Sequence, residues 1–119
     1  MTSATRKPQL KPRKVRLALP LVAGYLGEEK VRFVDMSVTG AGMVTDFEPL
    51  IGTVYAVSML YRLDRITFKG RVIRCAQNAS SDPSIMAAGP YRVGVEFIGL
   101  SDADKKIISA LCAGWLGRN

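Results

Sequence analysis

The hydrophobic pattern of this chain changes its period once, and that change restricts the fold more than any other feature. From Val15 to Phe97, apolar residues recur mostly at every second position, as in strands with one buried face. A single amphipathic helix after Ser101 needs apolar surface to cover, and only the preceding strands can supply it. The pattern therefore predicts a mainly β domain, a small antiparallel barrel with one C-terminal helix over its mouth. The helical stripe consists of Ile107, Ile108, Leu111, Cys112, Trp115 and Leu116.

Turn residues separate the expected strands from one another. Pro20 interrupts the first strand, which predicts a bulge or an edge at that point. Asn78–Pro90 is polar and without periodicity, so it is predicted to be a loop. Ser101 and Asp104 have the spacing of a capping box, which predicts that the helix begins there and continues to about residue 116. The expected strands cover residues 15–23, 30–34, 43–45, 53–61, 65–76 and 91–97.

Positive charge is concentrated at the N-terminus of this 119-residue chain. Six of its 17 Lys and Arg residues fall within the first 16 positions, and the first acidic residue is Glu28. The remainder holds 11 basic and 10 acidic residues and is nearly neutral. Pro8 and Pro12 lack the backbone donors that helices and sheets use. These features predict a flexible basic arm over residues 1–12 and a single domain over residues 13–119.

The residue inventory favours a binding protein over an enzyme. The chain contains no His, which disfavours both a zinc site and a Cys-His nucleophile. Cys75 and Cys112 lie in apolar contexts without redox-motif spacing, which predicts two buried free thiols. We expect no catalytic residue, no metal and no cofactor. No apolar run approaches the roughly 20 residues that span a bilayer. With no recognisable secretory signal, we expect a cytoplasmic protein.

One short motif places polar groups between two apolar strands. It is Asp35-Met-Ser37-Val-Thr-Gly40-Ala-Gly42, and Asp35 stands 22 residues after Arg13. Asp and Ser can hydrogen-bond the backbone of their own turn, and Gly supplies a positive φ, so the segment can be a self-stabilised turn. The cationic arm in front of it favours a second interpretation, a site for an anionic ligand rich in hydrogen-bonding groups.

The arm, this motif and the closing run Val93-Gly-Val-Glu-Phe-Ile-Gly-Leu-Ser101 resemble the PilZ family over roughly residues 11–116. PilZ domains are bacterial receptors for the second messenger cyclic dimeric GMP (c-di-GMP). The resemblance implies a six-stranded antiparallel β-barrel with a C-terminal α-helix. It also implies that c-di-GMP binds between the arm and the turn. The implied ligand-binding residues are Lys11, Arg13, Lys14, Arg16, Asp35, Ser37 and Gly40.

Each implied residue type suits part of the ligand. The planar fork of Arg pairs with guanine O6 and N7 and with phosphate oxygens. Asp35 would accept from the guanine N1 and N2 donors. Ser37 would donate to phosphate or hold the turn, and Gly40 would let the backbone approach the ligand closely. An arm that closes over the ligand would change the surface presented to a downstream effector protein.

The arm departs from the family in one respect. Ligand-binding members carry Arg-x-x-x-Arg before the first strand, and no two arginines of this arm are four residues apart. Arg13 best suits the second position, and Lys11 or Arg6 would have to serve the first. This departure leaves open a PilZ-like adaptor that binds a protein partner and no nucleotide. A basic barrel that binds nucleic acid is a weaker alternative, because residues 1–16 contain no aromatic side chain for base stacking.

Five basic residues in or near the expected hairpin are assigned to its ordinary solvent side, with a basic face as the alternative: Arg62, Arg65, Lys69, Arg71 and Arg74. Arg92 alternates with apolar residues on its strand and is either exposed or beside the ligand site.

Overall fold

The computed structural model describes the backbone of residues 17–61 and 64–116, and the side chains of residues 21–60 and 65–113. The predicted arm over residues 1–12 lies outside these ranges, so the arm and the domain boundary stay predictions. In chain order the elements are β1 (Leu17–Leu26), β2 (Glu29–Ser37), β3 (Gly40–Thr45), β4 (Val54–Tyr61), β5 (Asp64–Gln77), α1 (Pro83–Ala87), β6 (Tyr91–Ile98) and α2 (Asp102–Leu116).

The six strands form one closed antiparallel barrel. Their order around the barrel is β1-β2-β3-β6-β5-β4, and β1 pairs with β4 to close it. Closure gives every strand two neighbours, so no long edge is left unpaired. This confirms the predicted fold class, a six-stranded antiparallel barrel with a C-terminal helix.

Inward side chains of the strands pack with two residues of α2 to form the core. Ile108 and Leu111 are buried against Phe33 and Met36 in one cluster, so the helix covers the barrel as predicted. Ile107 is 41% exposed and does not belong to this stripe. It lies about 100° around the helix from Ile108, because an α-helix has about 3.6 residues per turn. The side chains of Trp115 and Leu116 lie outside the described ones, and their burial stays a prediction.

The start of α2 has the predicted capping box. The Asp104 amide donates to the Ser101 hydroxyl at 3.0 Å, and the Ser101 amide donates to the Asp104 carboxylate at 3.1 Å. Each side chain thereby pairs an amide that has no partner within the helix. Asp102 and Asp104 also place negative charge at the positive end of the helix dipole. Neither helix described in the structure is long and apolar enough to cross a membrane.

The connection between β5 and β6 contains a helix that the sequence pattern did not predict. The Asp82 side chain accepts from the Ser84 amide at 2.9 Å, and Pro83 occupies the first turn, so α1 starts on a regular cap. Five residues are too few for hydrophobic periodicity to be visible. The buried Asn78 amide holds the connection closed by donating to Ile85 O at 2.8 Å and to Gly89 O at 2.7 Å.

The bulge predicted at Pro20 is present in β1. The pairing of β1 with β2 shifts between Ala18 and Val22, with Pro20 in the shifted stretch. Leu21 in the same stretch has φ 52°, the left-handed region that a Leu seldom adopts. The bulge therefore fits a proline that cannot donate to the strand ladder.

Two further bulges each insert one residue. The β2–β3 pairing shifts between Phe33 and Asp35, and the β5–β6 pairing shifts between Val72 and Arg74. Because side chains alternate between the faces of a strand, an inserted residue moves the following side chains to the opposite face. These two shifts determine which polar side chains lie on the outside of the barrel near the β2–β3 hairpin.

Candidate functional site

The Asp35–Gly42 motif forms the end of the β2–β3 hairpin. Asp35 pairs with Gly42, and Ser37 pairs with Gly40, so only Val38 and Thr39 form the turn. The sequence pattern ended the strand at Val34 and restarted it at Met43. The ladder extends further because a two-residue turn needs no additional chain. Most of the motif is therefore strand.

The Ser37 hydroxyl holds this turn. Its oxygen accepts from the Thr39 amide at 3.2 Å and shares a hydrogen bond with the Thr39 hydroxyl at 2.9 Å. Ser37 is 1% exposed. Of the two roles that the sequence left open for Ser37, the one seen in this structure is stabilisation of the turn. Donation from Ser37 to phosphate stays a prediction.

Gly40 is required by the neighbouring strand. A Cβ at this position would lie 2.2 Å from the carbonyl oxygen of Val95 in β6. Its φ does not lie in the left-handed region, since the described glycines with positive φ are Gly27, Gly52 and Gly99. Close approach of β3 to β6 therefore explains the glycine, and contact of Gly40 with a ligand stays a prediction.

Asp35 lies on the outer face of the barrel because of the β2 bulge. Val31 and Phe33 point into the core, and strict alternation would send Asp35 inward as well. The extra residue at Val34 reverses the phase, so that Met36 enters the core and Asp35 faces outward beside Gly42. Asp35 is half-buried, and its carboxylate oxygens lie 2.8 Å and 3.1 Å from where a Cβ of Gly42 would be.

The first described residues of β1 lie next to Asp35. In the pairing of β1 with β2, Leu17 is opposite Met36 and Ala18 is opposite Asp35. Arg16 immediately precedes Leu17 in the sequence. The four basic candidates, Lys11, Arg13, Lys14 and Arg16, are outside the described residues, and their contacts with a ligand stay predictions.

Two further arginines lie on the same outer face. Arg74 pairs with Gly94, and Gly94 pairs with Gly42, the partner of Asp35. These four residues lie in one line across four neighbouring strands, which we call the strand row of Asp35. Arg92 pairs with Val44 in the next row and is half-buried. The sequence left two positions open for Arg92, and this pairing places it on the outer face near the motif.

The sequence assigned Arg74 to the solvent side of its hairpin, and the side chain is exposed in the structure. What the sequence did not predict is that Arg74 lies in line with Asp35. The bulge in β5 aligns it with the motif, and sequence periodicity carries no signal of that bulge.

The neighbouring charges are partly neutralised. Arg71 forms an ion pair with Glu96 at 3.6 Å, and the two side chains are 46% and 39% exposed. A solvent-exposed pair of this kind contributes about 0–1 kcal/mol to stability. Glu96 pairs with Gly40 along the ladder, so this ion pair lies one row from Asp35. It leaves Arg74 as the nearer cation in the row of the motif.

A separate groove lies elsewhere on the barrel and contains none of the candidate residues. It encloses about 490 Å³, and it is lined mainly by β4, β5 and the segment that leads into α2. Lys69 and Asp104 are its charged residues. The candidate residues described in the structure lie instead at the end of the β2–β3 hairpin.

The described part of the chain also contains two thiols and scattered carboxylates away from the motif. No group of three metal-ligating side chains occurs in the part of the chain that the structure describes. Cys75 and Cys112 are unbridged and half-buried, so they are less enclosed than the sequence predicted. Burial raises the pKa of both thiols, and the negative charge of Glu48 adds to the pKa rise at Cys75. Raised pKa values make these thiols poor nucleophiles at neutral pH.

A closed antiparallel barrel with a helix over its mouth and a polar hairpin end on its outer face defines a small binding domain. The chain belongs to the PilZ domain family, whose model matches residues 11–114. This is a c-di-GMP-binding domain family, and its members are receptors rather than enzymes.

A solved structure with the same fold is described as the PilZ domain with c-di-GMP of YcgR from Escherichia coli. The two chains superpose with a TM-score of 0.70 and 14% sequence identity, and the match covers 87% of this chain and 90% of that one. At this identity the likeness establishes the fold. No curated protein matches the sequence.

Proposed function

We propose that this protein is a bacterial, cytoplasmic receptor that binds c-di-GMP between the N-terminal arm and the Asp35–Gly42 hairpin end. One observation carries the proposal. The β1–β2 register brings the chain into the barrel at Leu17 and Ala18, directly beside Met36 and Asp35. The arm therefore joins the barrel beside the motif. Arg16 directly precedes Leu17 in the sequence, and Lys14 and Arg13 come two and three residues before Arg16.

The proposed chemistry divides the ligand between the two parts. Asp35 lies on the outer face, and its carboxylate would accept from the N1 and N2 donors of guanine. Arg13 and Arg16, with Lys11 and Lys14, supply charge for the two phosphates of the ligand. Because the described part of the site is an outer surface, the ligand would be enclosed only when the arm packs over it.

Closure of the arm is the proposed output. Ligand binding would favour the conformation with the arm against the barrel, and a partner protein would bind that conformation differently from the open one. No catalytic step is involved. The downstream effector would therefore recognise a surface made partly of the arm and partly of the outer face of β2 and β3.

Calorimetric titration of the purified chain with c-di-GMP, with GTP as the nucleotide control, tests the proposal. We expect saturable binding of c-di-GMP alone. Loss of one charge-assisted contact costs about 1–3 kcal/mol, so Arg13→Ala and Asp35→Ala should each weaken binding roughly 10- to 100-fold. Matched controls are Arg65→Ala and Asp46→Ala, exposed charges outside the motif, which should bind as the wild type does. Normal binding by both site variants would refute this site.

A flat titration of well-folded protein would favour the second candidate, an adaptor that binds a protein partner and no nucleotide. The observation that favours it is the absence of two arginines four residues apart in the arm. The adaptor should retrieve a discrete partner from a cell lysate without added c-di-GMP. It should not bind oligonucleotides, which separates it from a basic barrel that binds nucleic acid.

A further inference from the structure

Two glycines face each other on the outer surface of the barrel, in the strand row of Asp35. Gly42 of β3 and Gly94 of β6 are direct cross-strand partners. Their neighbours Met43 and Val93 point into the core, so the glycine positions face outward. Both glycines are buried, and the space that their own side chains would fill is taken by side chains of neighbouring strands. The two positions define the glycine patch.

A carboxylate and a guanidinium lie over this patch from its two sides. The Asp35 carboxylate lies over Gly42, with its oxygens 2.8 Å and 3.1 Å from the ideal Cβ position. From the opposite side, Arg74 Nη2 and Cζ lie 3.0 Å and 3.2 Å from the ideal Cβ position of Gly94. Directly opposite Cβ positions in a sheet are about 5 Å apart, so the two charged groups occupy neighbouring places.

The Arg74 side chain is exposed at this position. Within residues 17–61 and 64–116, the ion pair closer than 4.0 Å is the one between Arg71 and Glu96. Arg74 therefore has no carboxylate partner among the described residues. A guanidinium has five N–H donors, and those of Arg74 are available to an acceptor above the glycine patch.

We propose that Arg74 is the specificity-determining arginine of this site, and that it binds the acceptor edge of a guanine base whose donor edge binds Asp35. The inference rests on the proposed function and extends it. Guanine carries acceptors at O6 and N7 immediately beside donors at N1 and N2. A fork of donors next to a carboxylate matches that order of groups, and the glycines let both side chains lie close to the sheet.

Adenine does not match this arrangement. It presents an amino donor where guanine presents O6, so Arg74 would face a donor and lose its bond. Arg74 would also supply a guanine-binding arginine that the arm, without Arg-x-x-x-Arg, does not provide at the family position. Its selectivity therefore concerns the base, whereas the arm acts chiefly on the phosphates.

The test compares c-di-GMP with cyclic dimeric AMP (c-di-AMP) in calorimetric titrations of the wild type, Arg74→Gln, Arg74→Lys and Lys69→Gln. Lys69→Gln is the charge-matched control, since it removes one exposed cation from the same strand, away from the glycine patch. We expect Arg74→Gln to weaken c-di-GMP binding roughly 10- to 100-fold and to change c-di-AMP binding little. Arg74→Lys keeps the charge and loses the fork, so it should recover less than half of that loss in free energy.

Two results would overturn the inference, and they differ. If the wild type binds c-di-GMP and Arg74→Gln weakens both nucleotides by the same factor as Lys69→Gln, Arg74 contributes only charge. The proposed function then stands and this inference fails. If the wild type binds no c-di-GMP, the proposed function fails and this inference with it. Thermal unfolding of each variant verifies that the barrel is intact, which is expected because Arg74 lies on the surface.

Discussion

Replacement of Gly40 by Ala should lower the free energy of unfolding of the barrel more than the same replacement at Gly42 does, although the two glycines are only two residues apart. The added methyl group at Gly40 would lie 2.2 Å from Val95 O and 3.2 Å from Glu96 Cα, both backbone atoms of β6. At Gly42 the nearest atoms belong to the Asp35 carboxylate, at 2.8 Å to 3.2 Å. A carboxylate can rotate away, but a paired strand cannot.

The magnitude follows from the distance that β3 must move. Close carbon–oxygen contacts are about 3.3–3.6 Å, so Gly40→Ala requires a displacement of about 1 Å. The adjacent bond from the Phe97 amide to Thr39 O, now 2.9 Å, would then be stretched beyond hydrogen-bonding distance. Overpacking of about 1–3 kcal/mol and one or two lost bonds of about 0.5–1.5 kcal/mol each predict a loss of about 2–5 kcal/mol.

Chemical and thermal denaturation measure this difference directly. Both substitutions replace Gly by Ala, so both restrict the unfolded chain equally, by about 0.4–1 kcal/mol, and this term cancels in the comparison. In a chain of this length we expect a fall of roughly 10–20 °C in the Tm of Gly40→Ala. Gly42→Ala should change the free energy of unfolding by less than about 1 kcal/mol, and it should weaken c-di-GMP binding because Asp35 is displaced. Equal stability losses in the two variants would refute the argument from strand packing.

Three further predictions concern residues away from the motif. Asn78→Ala should lower the free energy of unfolding by about 1–3 kcal/mol, since it removes both side-chain hydrogen bonds that a buried amide makes across the β5–β6 connection. Urea denaturation measures this, and a variant as stable as the wild type would contradict it. Ser101→Ala should cost about 0.5–2 kcal/mol by removing the cap of α2, with the exposed Ser109→Ala as the control in the same helix. Alkylation of Cys75 and Cys112 at pH 7.5 should be slower in the folded protein than in the unfolded chain, because their raised pKa values keep both thiols protonated. Mass spectrometry of the labelled protein measures the two rates, and equal rates would refute this prediction.

The sequence predicted the class of fold because that class depends on local patterns. Period-two alternation, turn residues and a terminal stripe of period 3.6 are visible within short windows, and they correspond to the strands and to α2. The capping box at Ser101 and the bulge at Pro20 were predicted for the same reason, since both depend on side chains of the segment itself. The short helix α1 escaped because five residues give no period.

The candidate site residues were harder to predict from the sequence than the fold. Charge and spacing singled out the cationic arm and the motif beginning at Asp35 as candidates, but they gave no sign that the exposed Arg74 lies in line with Asp35. The row that joins Asp35 to Arg74 crosses four strands and depends on two bulges of one residue each. A bulge inverts the two faces of a strand, and a single sequence carries no mark of it at Val34 or Ile73.

By itself the sequence determined that this protein is a small barrel with a helix over its mouth, a basic arm and a polar hairpin motif. Only the tertiary structure decided what each motif residue does. Ser37 holds a turn, Gly40 makes room for a strand more than fifty residues later in the chain, and Asp35 faces outward toward Arg74. The physical reason is that strand pairing, unlike helix formation, joins residues far apart in sequence, so the neighbours of each residue follow from the register of the whole barrel.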